Sequence, residues 1–189
     1  MTRDEAYKIL RSLVKNENLI KHHLACEVAM RALYERLNPN QESAEEDNWG
    51  LVGLLHDADY ELCKDFPSRH TLVLEEKIGD KLPEEVMYAI KSHNWKNNHV
   101  EPKSFIDWSI YCSDELTGLI IAAALVHPDK KLTSLDTDFI MKRFNEPSFA
   151  KGANRQQIGE CDEKLGIPLT EFIQIVLSAM KSISPQLGL

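Results

Sequence analysis

Apolar residues recur along most of the chain at the three-to-four-residue spacing of amphipathic helices, and no useful length of sequence alternates as a strand does. Thr2 and Glu5 form a capping-box pattern, while Asp47 and Ser104 are predicted to cap later helices. The predicted helices cover about 2–14, 19–37, 47–57, 70–78, 83–93, 104–115, 117–126, 138–144, 155–164 and 169–181. The longer predicted loops cover 38–46, 59–68 and 94–102. We therefore predict an all-α fold.

Composition narrows the class of protein. The chain has 189 residues, 43% of them hydrophobic, which suits one well-filled core and predicts a single domain over 1–189. A net charge of −8 argues against a dedicated nucleic-acid surface. The longest apolar run, Leu119–Val126, is too short to cross a membrane, and the charged N-terminus lacks a signal core. Four scattered cysteines, with no Cys-x-x-Cys pair, are predicted to be small core residues. We predict a cytoplasmic, reduced protein, and the oligomeric state is left open.

One His-Asp pair stands out against this background. His56 and Asp57 directly follow a helical stripe formed by Trp49, Val52 and Leu55. Because that stripe must be buried, the carboxylate lies at the edge of a core, where it needs a partner. A divalent cation would satisfy both side chains, since neutral imidazole and carboxylate are metal ligands. The alternative is an ordinary polar end of a helix.

Four further side chains support the metal interpretation. Each lies on an otherwise apolar face of a different predicted helix: His22, His70, His93 and Asp114. A single histidine on such a face is more often a core residue than a ligand. Helices of a bundle can, however, direct several such side chains to one interior site.

The order of these residues resembles the HD-domain metal-dependent phosphohydrolase superfamily. His22, then His56-Asp57, then Asp114 matches its His…His-Asp…Asp pattern, and His70 and His93 match the extra histidines of its dinuclear members. Four phrases look like those of a small bacterial and archaeal subgroup: Lys21-His22, Gly53-Leu-Leu-His56-Asp57, Ala89-Ile90-Lys91-Ser92-His93-Asn94 and Ser113-Asp114-Glu115-Leu116-Thr117-Gly118. The resemblance implies a helical bundle with a metal-site core over about 19–127, on which helices over about 136–183 pack.

The resemblance also implies a ligand set and a reaction. One ion would be held by His22, His56, Asp57 and Asp114, and Asp57 would bridge to a second ion held by His70 and His93. His56 and Asp57 would belong to the catalytic centre. Mixed imidazole and carboxylate ligation suits Mn, Fe, Co, Ni or Zn. A metal-bound water could then attack a phosphomonoester or phosphodiester, a nucleotide being one candidate for this small phosphate-bearing substrate. No stable nucleic-acid or membrane partner is expected.

The sequence departs from the named branches of the superfamily. Ala58-Asp59 follows the pair where one branch has Ile-Gly and cyclic-di-GMP phosphodiesterases have Gly-Lys, and the downstream Glu-Asp pair of alarmone hydrolases is missing. The substrates of those branches are therefore disfavoured. Asp59 is predicted either to hydrogen-bond a ligand histidine or to cap a loop. His23 would be the ligand instead of His22 if the helical register slipped by one.

Two basic residues are candidates for substrate binding. Arg155, first, and Lys151, second, lie near the start of a predicted helix, where exposed amides also favour an anion. A guanidinium can contact two phosphate oxygens at once, so we predict a phosphate clamp here. The alternative is a pair of solvent-facing cations.

Two other functions remain open at this point. A dinuclear iron site of the same kind could use dioxygen to oxidise a substrate. A nucleotide sensor without catalysis could keep the metal only for structure.

Overall fold

The secondary structure of the computed structural model is helical: it describes residues 1–39 and 44–189, in which no strand occurs. The helices are α1 (Arg3–Leu13), α2 (Glu17–Leu37), α3 (Ala44–Leu55), α4 (Tyr60–Cys63), α5 (Leu72–Ile78), α6 (Glu84–His93), α7 (Trp95–Asn98), α8 (Phe105–Val126), α9 (Thr137–Phe144), α10 (Arg155–Leu165), α11 (Leu169–Ser182) and α12 (Ser184–Leu187). Short 3₁₀ turns occur at Pro67–Arg69, Gly79–Lys81 and Leu132–Ser134. The all-α prediction is confirmed.

Helix α8 lies at the centre of the fold because it is apolar on nearly every side. It packs against α2, α6 and α10, while α2 also packs against α3 and α11. The C-terminal helices α9, α10 and α11 therefore cover the α2–α8 unit. This arrangement brings α2, α8 and the C-terminal ends of α3 and α6 to one interior region.

The length of α8 corrects two sequence-based predictions. The predicted helices over 104–115 and 117–126 form one continuous helix, in which Leu116 and Thr117 are both buried. By length and composition α8 is also apolar enough to cross a membrane, contrary to our expectation for the chain. However, 61% of its most apolar window is buried within the protein, as in the core helix of a soluble protein. One such helix is weak support for a membrane span.

Helices α2 and α3 approach each other so closely that their backbones touch at Gly53. A Cβ atom on Gly53 would lie 2.4 Å from the carbonyl oxygen of Cys26 and 2.7 Å from the amide nitrogen of Glu27. No side chain fits at such a distance from rigid backbone. This contact fixes the spacing between α2 and the end of α3, where His56 follows.

Helix boundaries elsewhere show where the sequence patterns succeed and fail. The capping box is confirmed, because Thr2 Oγ1 and the Glu5 carboxylate each bond the other residue's backbone N–H. Asp47 is not a cap: α3 begins at Ala44, and the Asp47 carboxylate lies in its first turn, 2.9 Å from Arg31 Nη1. The central part of the predicted loop over 38–46, residues 40–43, lies outside the described residues. The predicted loops over 59–68 and 94–102 contain the short helices α4 and α7.

Candidate metal centre

Six side chains that the sequence predicted as ligands converge in the interior. Together with Cys26, they form two groups that could hold a metal ion, within each of which the candidate ligand atoms lie within 4.8 Å of one another. The first group contains His22, Cys26, His56 and Asp114, and the second contains Asp57, His70 and His93. His22 comes from α2 and Asp114 from α8, while the other four histidine and aspartate side chains stand at or just beyond the ends of helices.

The imidazole and carboxylate ligand atoms of the first group face one point. Nε2 of His22 lies 3.2 Å from Nε2 of His56 and 3.0 Å from Oδ1 of Asp114. Nε2 of His56 lies 3.5 Å from the same Asp114 oxygen. Atoms that bind one first-row ion at about 2.1 Å are separated by about 3.0–3.4 Å, depending on the coordination geometry. The first group therefore has the spacing of a coordination shell.

Asp57 connects the first group to the second. Its Oδ1 lies 3.0 Å from Nε2 of His70 and 3.3 Å from Nε2 of His93, and those two nitrogens are 3.0 Å apart. Its Oδ2 lies 3.9 Å from Nε2 of His22 and 3.8 Å from Nε2 of His56. One carboxylate thus presents one oxygen to each group, which is the arrangement of a bridging ligand.

The four histidines of the two groups share one tautomer, which is determined by the hydrogen bond that each Nδ1 makes. Each Nδ1 faces an acceptor: Thr117 Oγ1 for His22, the Gly53 carbonyl for His56, Asp59 Oδ1 for His70 and the Ile90 carbonyl for His93. The Thr117 hydroxyl donates its own hydrogen to the Asp114 carbonyl, so it accepts from the imidazole. Every Nδ1 therefore carries a hydrogen, which leaves each Nε2 to bind a proton or a metal ion at the centre.

Lone pairs facing one another at 3.0 and 3.2 Å repel unless a proton or a cation lies between them. The shifted pKa values show that the centre favours positive charge. Burial lowers the pKa of His56 and of His70, but the neighbouring carboxylates raise both to about 9. Burial raises the pKa of Asp57, but the imidazoles of His56, His70 and His93 hold it well below its usual value. A divalent cation would supply the same charge and would displace protons from the imidazoles.

Thr117 and Cys26 are neighbours of the centre that the sequence analysis missed as functional residues. Thr117 lies three residues after Asp114, and Cys26 lies four residues after His22, so helical spacing puts each beside a ligand. Cys26 Sγ is 3.4 Å from Thr117 Oγ1 and nearly equidistant, at 3.8 and 3.9 Å, from the two ring nitrogens of His22. The sulfur therefore lies beside the imidazole rather than in line with its Nε2 lone pair.

Asp59 performs both tasks that the sequence left as alternatives. Its Oδ1 accepts a hydrogen bond of 2.7 Å from Nδ1 of His70 and one of 3.1 Å from the backbone N–H of Thr71. Its Oδ2 accepts from the backbone N–H of Leu74, in the first turn of α5. Asp59 is fully buried, yet these donors lower its pKa against the effect of burial. The carboxylate thus orients a candidate ligand and satisfies the start of a helix.

We expect Asp59→Asn to weaken the second ion selectively. The amide would place a donor against the Leu74 N–H and remove the charge that orients His70. Affinity for the second ion should fall by about 10–100-fold, and the free energy of unfolding by about 1–2 kcal/mol. Metal titration and urea denaturation measure the two effects. Asp65→Asn, which alters an exposed carboxylate nearby, is the matched control. Two ions bound at parental affinity in Asp59→Asn would contradict this assignment.

His23 packs beside the first group without contributing a ligand atom to either group, since its ring centroid lies 5.2 Å from that of His56. It is fully buried, and neither ring nitrogen has a well-formed hydrogen bond within the described part of the chain. Burial holds the pKa of His23 well below its usual value, so the ring is neutral. His22 rather than His23 carries the nitrogen that faces His56 and Asp114, which favours the register chosen from the apolar stripe.

Arg155 braces a loop instead of reaching into the centre. Its guanidinium donates to the backbone carbonyls of Phe144, Phe149, Ala150 and Ala153. Four of its five N–H donors are therefore used within the protein. This geometry does not favour the predicted phosphate clamp. The sequence could not show these contacts, because only the folded path of the loop directs the backbone carbonyls toward the guanidinium.

The braced loop forms one wall of a cleft beside the metal centre. The cleft has a volume of about 340 Å³ and is lined by His22, Asp114, Glu115, Gly118, Ala150, Gly152 and Ala153. Glu115 holds the loop from the other side, since its carboxylate accepts from the Asn154 N–H at 3.0 Å. Lys151 is exposed on the same loop, and its predicted role in phosphate binding stays a prediction.

Comparison with known proteins gave no match: no family model, no curated protein and no solved structure matches this chain. The resemblance to HD-domain phosphohydrolases therefore rests on the order of the residues and on the geometry of the centre. That geometry is a histidine- and aspartate-rich cluster that could bind metal and is compatible with an HD-type site.

Proposed function

We propose that this protein is a metal-dependent phosphohydrolase that cleaves a phosphomonoester or phosphodiester. The observation that carries the proposal is Asp57, which presents one oxygen to each of two imidazole pairs whose Nε2 lone pairs face inward. A dinuclear centre of this kind is suited to phosphoryl chemistry, because two ions can neutralise both oxygens of an in-line displacement. When bound, the ions would supply a nucleophilic water at neutral pH and positive charge for the phosphate.

The protein's own residues determine what can reach this centre. The side chains of His22, Asp57 and Asp114 are 18%, 16% and 21% exposed, whereas His56 is fully buried. One side of the centre is therefore buried in the core, and the other side is accessible to solvent. A phosphate could approach through the accessible side while the buried hydrogen bonds keep each imidazole in its orientation.

The test begins with metal binding. The purified protein would be stripped with a chelator, reloaded separately with Mn, Fe, Co, Ni or Zn, and analysed for bound metal. We expect close to two equivalents in the parent and one in His93→Ala, because that change removes a single candidate ligand from the second group. His99→Ala, which alters an exposed histidine, is the matched control and should keep two equivalents. One equivalent in the parent at saturation would contradict a dinuclear site.

Activity is tested on the same loaded samples. Phosphate release from simple monoesters and diesters is expected in the parent and should fall by at least about 100-fold in His93→Ala. Oxygen uptake by the iron-loaded sample separates the oxygenase alternative from hydrolysis. Phosphate binding without turnover under any of the five metals would instead support a binding role and contradict the proposed hydrolase.

A further inference from the structure

A second groove borders the metal centre at His22. It has a volume of about 360 Å³ and is lined by Asn16, Asn18, Leu19, His22, Tyr60, Glu61 and Lys64. One wall is the turn between α1 and α2, and the other is α4. The Glu61 carboxylate joins the walls, because it accepts from the backbone N–H of Lys15 at 2.6 Å and of Asn16 at 3.4 Å. The groove therefore has a fixed width.

Tyr60 connects this groove to the second ligand group. Its ring meets the imidazole of His70 edge to face, with centroids 5.8 Å apart and an angle of 87° between the planes. Nevertheless Tyr60 is 49% exposed, and its hydroxyl has no hydrogen-bond partner among the described residues. Phe66, on the same segment, is also exposed but does not line the groove. The chain thus places a half-exposed aromatic ring directly beside the candidate centre.

The charges of the groove do not suit a highly charged ligand. Apart from the candidate ligand His22, its lining contains one cation, Lys64, and one anion, Glu61, together with two neutral amide side chains. A second or third phosphate beyond the one at the metals would meet no excess of positive charge there. An uncharged group would avoid this difficulty, and a flat ring could lie against Tyr60.

From this placement we propose that the groove binds the leaving group of the substrate, and that this group is an uncharged aromatic ring stacked on Tyr60. The inference rests on the proposed function and narrows it to monophosphate esters. In the reaction a water oxygen forms a bond to phosphorus and the ester P–O bond breaks. The leaving alcohol takes up one proton, so an ester and water give an alcohol and hydrogen phosphate. Tyr60 would be a specificity-determining residue rather than a catalytic one.

The sharpest test compares two esters that differ only in aromaticity. Benzyl phosphate and cyclohexylmethyl phosphate have similar size and both release a primary alcohol. We expect the metal-loaded parent to favour benzyl phosphate, and Tyr60→Ala to raise its KM by about 5–100-fold, the range found for loss of one aromatic stacking partner. The KM for cyclohexylmethyl phosphate should change much less. Tyr60→Phe should behave as the parent does, and Phe66→Ala is the matched control.

A binding measurement separates this inference from the proposed function. Benzylphosphonate, which cannot be hydrolysed at its P–C bond, would be titrated into metal-loaded parent, Tyr60→Ala and Tyr60→Phe, each checked for metal content. Binding that depends on Tyr60 without any ester turnover would support the groove and contradict the hydrolase. Hydrolysis of both esters with unchanged KM in Tyr60→Ala would overturn the groove and leave the hydrolase standing. Absence of benzylphosphonate binding to the loaded parent would also overturn the groove.

Discussion

Replacing Asp57 with alanine should yield a folded protein that holds neither ion at the affinity of the parent. Asp57 is the side chain that contacts both ligand groups, so its loss removes a ligand from each. It also removes one of the two carboxylate charges, the other being that of Asp114, that would balance two divalent ions. Because loss of an outer hydrogen-bond partner alone costs about 10–100-fold in metal affinity, loss of the bridging ligand should cost more than about 100-fold. Phosphate release should fall at least as far.

The experiment requires proof that the variant folds. Circular dichroism and gel filtration would establish this, and elemental analysis after desalting would give the metal content. Asp57→Asn keeps the shape and one oxygen donor, so it should retain at most one equivalent. Asp65→Ala, at an exposed carboxylate, should retain two. Full occupancy of two ions in folded Asp57→Ala would show that the carboxylate is not a bridge.

Replacing Gly53 with alanine should cause a large loss of stability for an entirely different reason. The added methyl group would lie 2.4–2.7 Å from the backbone of Cys26 and Glu27, which cannot move as a flexible side chain does. Helices α2 and α3 would have to separate, and such overpacking typically costs 1–3 kcal/mol. Alanine also recovers up to about 1 kcal/mol of helix propensity. Because the clash is with rigid backbone, we expect the upper end of the overpacking range and a net loss of about 2 kcal/mol in the free energy of unfolding.

Gly159→Ala is the matched control, because Gly159 lies within α10 with open space around its Cβ position. That change should stabilise the protein by about 0.5–1 kcal/mol. Urea denaturation of the metal-free proteins measures both effects. In Gly53→Ala the metal affinity should also fall, since His22 lies on α2 and His56 directly follows α3, and these two helices separate. Equal stability of Gly53→Ala and the parent would mean that α2 and α3 do not touch as described.

The sequence could predict that the candidate ligands point inward, because helical periodicity indicates which residues share a face with the apolar core. His22 and His93 continue apolar stripes, and the structure buries those stripes. The same reasoning failed for Asp47, since acidic residues suit the first turn of a helix as well as its cap. It also divided α8 in two, whereas the structure continues this helix from Phe105 to Val126.

Other features of the centre depend on contacts that no local pattern encodes. The carbonyl groups that surround Arg155 acquire their direction from the loop over 144–153. The importance of Gly53 comes from the approach of α2, which is distant in sequence. Tyr60 lay in a segment predicted to be a loop, so its position beside His70 could not be inferred. These features arise from tertiary packing, which periodicity and composition do not describe.

The Nδ1 hydrogen bonds of His56 and His93 have a consequence for local motion. Each imidazole donates to a carbonyl three residues earlier, Gly53 for His56 and Ile90 for His93, in the last turn of α3 and of α6. These two candidate ligands therefore satisfy carbonyl groups at the ends of their own helices. If an ion is bound, a helix end of this kind cannot open without withdrawing a candidate ligand from it. Opening of the final turns of α3 and α6, which amide hydrogen exchange measures, would then require metal release as well. The amides of these two turns should therefore exchange slowly only in the metal-loaded protein.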